Sequence, residues 1–263
     1  MPRVVSWFSC GAASAVATRL ALDMHTPDDG EFVIGYCEVK EEHPDNMRFL
    51  KACEEWFNHP ITIMGNDKYN RSIYEVFRQT RFLVGPSGAA CTRLLKKDVR
   101  KAFQRDGDLQ VFGYTAEEQH RLDRYIDGNP DTEVWAPLID NHVSKKDCLG
   151  ILEKAGIPLP VMYSQGYRNN NCIGCVKGQA GYWNKIRVDY PEQYERMSQV
   201  EQQLGRAICK KEWTENGKRK LERIPLAELP PDLGRYKAEP DIECGINCEW
   251  VDSYFAQNEV CDE

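Results

Sequence analysis

No apolar run in this chain approaches the roughly 20 residues that a membrane-spanning helix needs, so no membrane role is expected. The start lacks a basic region followed by an apolar core and a cleavage site. Pro2 and Arg3 run directly into strand-like residues, so no secretory leader is expected and the compartment is read as cytoplasmic. Positive charge is also scarce: the net charge is −7. Bulk charge therefore does not favour a nucleic-acid partner, although a local basic face still would. There is no internal repeat. What the chain does have, in 263 residues of which 41% are hydrophobic, is enough for one large domain or two small ones, and 11 cysteines. In a reducing compartment those cysteines read as small core residues, metal ligands or redox groups rather than bridges.

Apolar runs alternate with helix-period segments. Val4 to Trp7, Phe32 to Cys37, Ile61 to Met64, Leu109 to Tyr114 and Val134 to Leu138 read as strands. Between and after them, Ala12 to Met24, Asp45 to Asn58, Ile73 to Phe77, Cys91 to Phe103 and a segment starting near Ser144 read as helices. Asp147 stands in the capping-box position for the last of these, and Gly156 ends it. The alternation predicts an α/β fold: a doubly wound, mostly parallel sheet of five or six strands with helices on both faces. Residues 1–205 are expected to form this domain, with an irregular C-terminal extension over 206–263. In such sheets ligands bind beyond the carboxyl ends of the strands. Three distinctive segments begin there: Ser9 to Ser14, Glu38 to His43 and Thr115 to Arg121.

The first, SCGAAS, joins a strand to a helix. Gly11 permits positive φ, Ala12 and Ala13 allow close approach, Ser9 and Ser14 offer hydroxyls, and N–H groups at the helix start favour an anion. It is not a Walker loop, because the Gly-Lys-Ser/Thr ending is missing, and it lacks the three-glycine dinucleotide spacing. A tight turn with small residues for packing is the competing reading. In FGYTAEEQHRLDR, Glu117 and Arg121 are four apart and share a helical face, as a solvated ion pair would also do. The stretch YSQGYRNNNCIGCVKGQ carries Cys172 and Cys175 as C-x-x-C, with Arg168 and Lys177 to offset thiolate charge. Two ligands are too few for structural zinc or an iron–sulfur cluster, which want about four. Cys91, Cys244 and Cys248 are candidates for the rest.

The order of these pieces resembles the adenosine phosphosulfate and phosphoadenosine phosphosulfate reductases, within the adenine-nucleotide alpha-hydrolase-like (PP-loop) superfamily. SCGAAS stands where that superfamily has S-G-G-x-D-S, with Cys10, Ala12 and Ala13 in place of its Gly, Lys and Asp. GYTAEEQHR is similar to G-x-R-x-x-E-S-x-x-R at Gly113, Glu117 and Arg121, with Thr115 for the first Arg. WAPLIDNHVSKKDCLGILEKAGIPLPVMYSQGYRNNNCIGC follows the family run that leads to the C-x-x-C. ACTRLLKK is similar to C-C-x-x-R-K with Ala90 for one cysteine, and IECGIN resembles the tail motif E-C-G-L/I-H with Asn247 for the His.

The resemblance implies an adenine nucleotide held by residues 9–14, Gly113, Glu117, Arg121 and Arg168. It implies a 4Fe-4S cluster on Cys91, Cys172 and Cys175, and release of sulfite through Cys244, with Cys248 or a thioredoxin-like donor as second thiol. Two alternatives stay open. One is an ATP-splitting, iron–sulfur-dependent sulfurtransferase acting on a nucleic-acid base; the other is a non-catalytic nucleotide sensor. Arg71, Arg78, Lys96 and Lys97 are unranked candidates for a 3′ phosphate, and the oligomeric state stays open.

Overall fold

A computed structural model of the chain describes residues 3–85 and 88–242. In chain order the strands are β1 (Arg3–Phe8), β2 (Glu31–Cys37), β3 (Ile61–Met64), β4 (Val84–Gly85), β5 (Gly88–Ala89), β6 (Leu109–Val111), β7 (Val134–Trp135), β8 (Cys209–Glu215) and β9 (Lys218–Ile224). The helices are α1 (Ala12–Met24), α2 (Asn46–Phe57), α3 (Ile73–Thr80), α4 (Ala90–Thr92), α5 (Asp98–Phe103), α6 (Gln119–Asp127), α7 (Pro137–Asp140), α8 (Lys145–Lys154), α9 (Val161–Ser164), α10 (Ala180–Asp189) and α11 (Pro191–Leu204). No helix among the described residues is long and apolar enough to cross a membrane. The chain divides into two compact units. One comprises Met1–Glu38, Glu42–Asn66 and Lys96–Asn170; the other comprises Val39–Glu41, Asp67–Leu95 and the chain from Asn171.

The first unit is built on a five-stranded, wholly parallel sheet in the order β3-β2-β1-β6-β7. Every residue of β1 is buried, as expected of a central parallel strand covered on both faces. Val4 and Phe8 join α1, α2 and α8 in one core that includes Phe49, Phe57, Leu138 and Leu152. On the other face Trp7 stacks edge-on against Phe103 of α5 and donates to Gln110 Oε1 at 2.6 Å. Arg100 lies there between the Trp7 and Phe112 rings, 5.6 and 5.3 Å from their centroids. The chain leaves β1 for β2 on one side and reaches β6 on the other. The strand order therefore reverses at β1, which makes its carboxyl end a topological switch point.

Several local expectations hold. The Ser144 hydroxyl and the Asp147 carboxylate cap α8 reciprocally, and Gly156 follows it with φ +70°. Others are corrected. The helix expected over Cys91 to Phe103 is three pieces, with a π-helical segment Arg93–Lys97 between α4 and α5. The fourth strand stops at Val111, and Pro137 starts a helical turn where the fifth was expected to continue.

In the second unit α10 and α11 pack together, and α3 packs against α4 and α11. Glu41 caps α3: its carboxylate accepts from the Ser72 hydroxyl at 2.6 Å and from the Ile73 N–H at 2.9 Å. Buried Glu201 of α11 accepts the backbone N–H groups of Ile208 and Leu226, fixing both ends of the β8–β9 hairpin.

A buried ion pair ties β1 to the start of β6. Arg3 Nη2 stands 2.7 Å from Asp108 Oδ2, with side chains 4% and 2% exposed. Burial pushes the Asp108 carboxyl up, but hydrogen bonds from Arg3 and from the Arg105 backbone N–H outweigh it and hold the group below its ordinary value. Because the folded value is depressed, the pair's contribution is complete above the unfolded carboxylate range near about 3.9. It disappears as pH falls through the folded value. Thermal melts from neutral pH downward should show the stability gap between wild type and Asp108→Asn closing below about pH 4. A gap that stays constant to the lowest pH would contradict this assignment.

Candidate functional site

The loop after β1 lies at the switch point. Its one residue with positive φ is Cys10, at φ 54°, whereas Gly11 is extended at φ −105° and ψ 156°. The expectation that Gly11 supplies the left-handed turn is therefore corrected. A non-glycine residue pays about 1–2 kcal/mol for that conformation. Here burial of the side chain offsets it: Cys10 is fully buried, its Sγ 3.7 Å from the Asn46 carbonyl oxygen, beside Tyr36, Glu42 and Cys53. Burial first, and the neighbouring Glu42 carboxylate second, push this thiol well above its ordinary value. Cys10 thus serves the loop through its backbone, and its thiol stays protonated at neutral pH. Iodoacetamide should alkylate Cys10 only on unfolding, as peptide mapping by mass spectrometry would show. Labelling in the native state would refute the assignment.

Below the loop is a polar network. Glu42, 7% exposed, accepts from the Tyr36 hydroxyl at 2.6 Å, from Asn46 Nδ2 at 3.0 Å and from Lys96 Nζ at 2.9 Å. Asn170 Nδ2 donates to the Cys10 carbonyl at 2.7 Å and to Asn46 Oδ1 at 2.8 Å. Asn170 lies in the predicted run before the C-x-x-C, but its role as the clamp on the loop has no local sequence signal. Lys96, one of the 3′-phosphate candidates, anchors this network. Arg71 and Arg78 pair with Asp67 and Glu75, and Lys97 is buried.

Above the network the Ser14 hydroxyl is engaged inside the loop. It accepts from the Ser9 N–H and the Ser9 hydroxyl, each at 3.0 Å, and donates to the Gly11 carbonyl at 2.9 Å. Ser9 remains exposed. The Ala12 N–H donates to the Tyr163 hydroxyl at 3.3 Å, a second partner that sequence reasoning missed. Burial keeps this phenol neutral by raising its pKa. Among the described residues no acceptor meets the backbone N–H groups of Gly11, Ala13 and Ser14. The first turn of α1 holds no acidic residue. A row of unmet N–H groups at a 13-residue helix start is a favourable place for an anion.

Gly113 follows β6 and lies directly against this helix start. A Cβ there would meet Ser14 Cα and N at 2.7 Å and Ala13 C at 2.9 Å. Only glycine lets the two segments approach this closely. Beyond it, buried Thr115 and half-buried Glu118 form a capping box on the 3₁₀ turn Ala116–Glu118. Arg121 pairs with Glu118, not with Glu117 as expected, and its guanidinium lies 5.1 Å from the Tyr114 ring centroid. Glu117 is held ionised by the Thr115 hydroxyl, its own backbone N–H and the Lys145 N–H. The Tyr114 hydroxyl is buried with no partner among the described residues, and burial pushes it up to about 12. Arg168 is half-buried, two residues before Asn170.

In the second unit Cys172 and Cys175, both 7% exposed, share one tight loop. The Tyr182 hydroxyl organises it, accepting from the Gly174 and Cys175 N–H groups at 3.1 and 2.9 Å and donating to the Cys172 carbonyl at 3.3 Å. Gly174 supplies φ +75° against the Trp183 ring. Tyr74 of α3 neighbours Cys172, its hydroxyl buried without a partner among the described residues and pushed up to about 12, chiefly by burial. Cys91 is partly exposed in α4. Among the described residues no three Cys, His, Asp or Glu side chains gather into a group able to hold a metal ion. Cys244 and Cys248 lie outside the described residues. The described residues thus supply a C-x-x-C pair and not a complete cluster site.

No protein-family model, no curated protein and no solved structure matches this chain.

Proposed function

We propose that the chain is an adenine-nucleotide enzyme of the sulfonucleotide-reductase kind, built on the PP-loop superfamily fold. The observation that carries the reading is the meeting of two resemblance motifs at the switch point. Gly113 is packed against the start of α1, where the N–H groups of Gly11, Ala13 and Ser14 face no acceptor among the described residues. Those groups bind the 5′ phosphosulfate through its oxygens, without a loop lysine. Asn170 and Tyr163 hold the loop in shape, and Arg121, fixed by Glu118 and Tyr114, adds positive charge nearby.

The Cys244 thiolate attacks the sulfur of the phosphosulfate. The sulfur–oxygen bond to phosphate breaks, and the nucleotide leaves with the electron pair, leaving an S-sulfocysteine. A second thiol, Cys248 or a thioredoxin-like donor, then attacks Cys244 Sγ as a thiolate. Sulfite leaves with the electron pair of the broken sulfur–sulfur bond, and a disulfide remains for the donor to reduce. An iron–sulfur cluster on Cys91, Cys172, Cys175 and a further thiol would supply fixed charge; no step depends on it.

The test is anaerobic incubation with adenosine phosphosulfate, phosphoadenosine phosphosulfate or ATP in the presence of a thiol donor. Sulfite from either sulfonucleotide, lost in Cys244→Ser, is the expected result. Pyrophosphate from ATP would replace this reading with the sulfurtransferase, and binding without turnover would replace it with the sensor.

A further inference from the structure

Among the described residues nothing covers either face of the β8–β9 hairpin. Only its base is buried, at the Cys209 and Ile224 pair, 1% and 9% exposed. All 14 residues from 210 to 223 are exposed. An isolated two-stranded ribbon is marginal in water, so packing does not explain this one. Its composition differs from the rest of the chain: six Lys or Arg against three Glu, a local charge of +3 in a chain of −7. Register and alternation sort the side chains into two faces. One carries Trp213 opposite Lys220, flanked by the pairs Lys211–Glu222 and Glu215–Lys218. The other carries Leu221 opposite Glu212, with Lys210, Arg219 and Arg223 around it. Trp213 and Leu221 are 39% and 51% exposed. Glu212 engages Lys210 and Arg219 on its own face, and Lys220 stands 3.8 Å from Glu215 on the Trp213 face, whereas Lys211 and Lys218 have no carboxylate partner among the described residues.

We infer that this ribbon is a docking element for double-helical DNA, entering the major groove with its Trp213 face. The ribbon's net charge of +3, of which +1 lies on the Trp213 face and +2 on the other, selects a polyanion. Shape selects the duplex: a two-stranded ribbon fits the groove of B-form DNA, about 12 Å wide, whereas the major groove of A-form RNA is too narrow to admit it. Lys211, Lys218 and Lys220 contact phosphates, and Trp213 packs against base edges. The inference does not rest on the nucleotide reading of the loop.

Fluorescence anisotropy of the full chain with a labelled DNA duplex of about 20 base pairs, titrated between roughly 50 and 200 mM salt, tests it. Wild type should bind and weaken steeply with salt. The combined variant Lys211→Ala, Lys218→Ala, Lys220→Ala should bind at least about 10-fold more weakly, with a salt slope shallower by about 3. Trp213→Ala should weaken binding while leaving the slope unchanged. Unchanged melting temperatures would show that the variants are folded. The inference is overturned if wild type binds no duplex at low salt, if the triple variant binds as wild type does, or if an RNA duplex or single-stranded DNA of the same sequence binds equally well.

Discussion

Gly113→Ala is expected to weaken adenine-nucleotide binding about 10-fold to 100-fold and to destabilise the chain by about 1–3 kcal/mol. The added Cβ would press on the Ser14 Cα and N at 2.7 Å. Those are backbone atoms of a packed helix start and have no rotamer by which to give way. Either α1 retreats from β6, disturbing the unmet N–H groups, or the segment after β6 moves and takes Thr115 and its capping box with it. Titration calorimetry with adenosine 5′-monophosphate and urea unfolding read the two effects separately. Gly11→Ala is the contrasting case. Its φ is ordinary and a Cβ there finds only contacts at 3.6 Å or more, so stability should barely change. If Gly113→Ala bound nucleotide as wild type does, the loop would not be the binding site.

The second large effect is expected from Asn170→Leu, at about 2–5 kcal/mol of stability. The substitution removes a buried donor from two acceptors, the Cys10 carbonyl and Asn46 Oδ1. Each buried group left unmet costs about 1–3 kcal/mol. Cys10 occupies a left-handed conformation that its own residue type disfavours, so release of its carbonyl should let the loop relax. Nucleotide affinity should fall with stability. A double-mutant cycle with Asn46→Ala should be non-additive, because both residues belong to one network. Additive effects would place the two residues in separate roles.

Much of the first unit is legible in the sequence because its signals are local. Alternating apolar runs locate the strands, Ser144 with Asp147 marks a helix start, and Gly156 marks its end. The convergence of SCGAAS and the Gly113 segment follows from strand alternation alone. What is illegible depends on contacts between distant segments. Positive φ sits at Cys10 because Tyr36, Glu42 and Asn46 bury its side chain. Tyr163 and Asn170 meet the loop across 151 and 160 residues of chain. The Arg121 partner is misread because Thr115 caps a 3₁₀ turn before α6 begins, which shifts the angular register and brings Glu118 to the arginine. The β8–β9 hairpin had a readable signal: Asn216-Gly217, both at positive φ, between two strand-length runs. Those runs are mostly charged on both faces and show no apolar alternation, because residues 210–223 are all exposed.

The backbone N–H groups at the start of α1 are proposed to hold the 5′ phosphate or phosphosulfate of an adenine nucleotide. Amide resonances of the isotope-labelled chain, followed during titration with adenosine 5′-phosphosulfate, test this most directly. Gly11, Ala13 and Ser14 are expected to shift downfield together and saturably, and to fail to do so in Gly113→Ala. Saturable binding that leaves those three amides unmoved would contradict it.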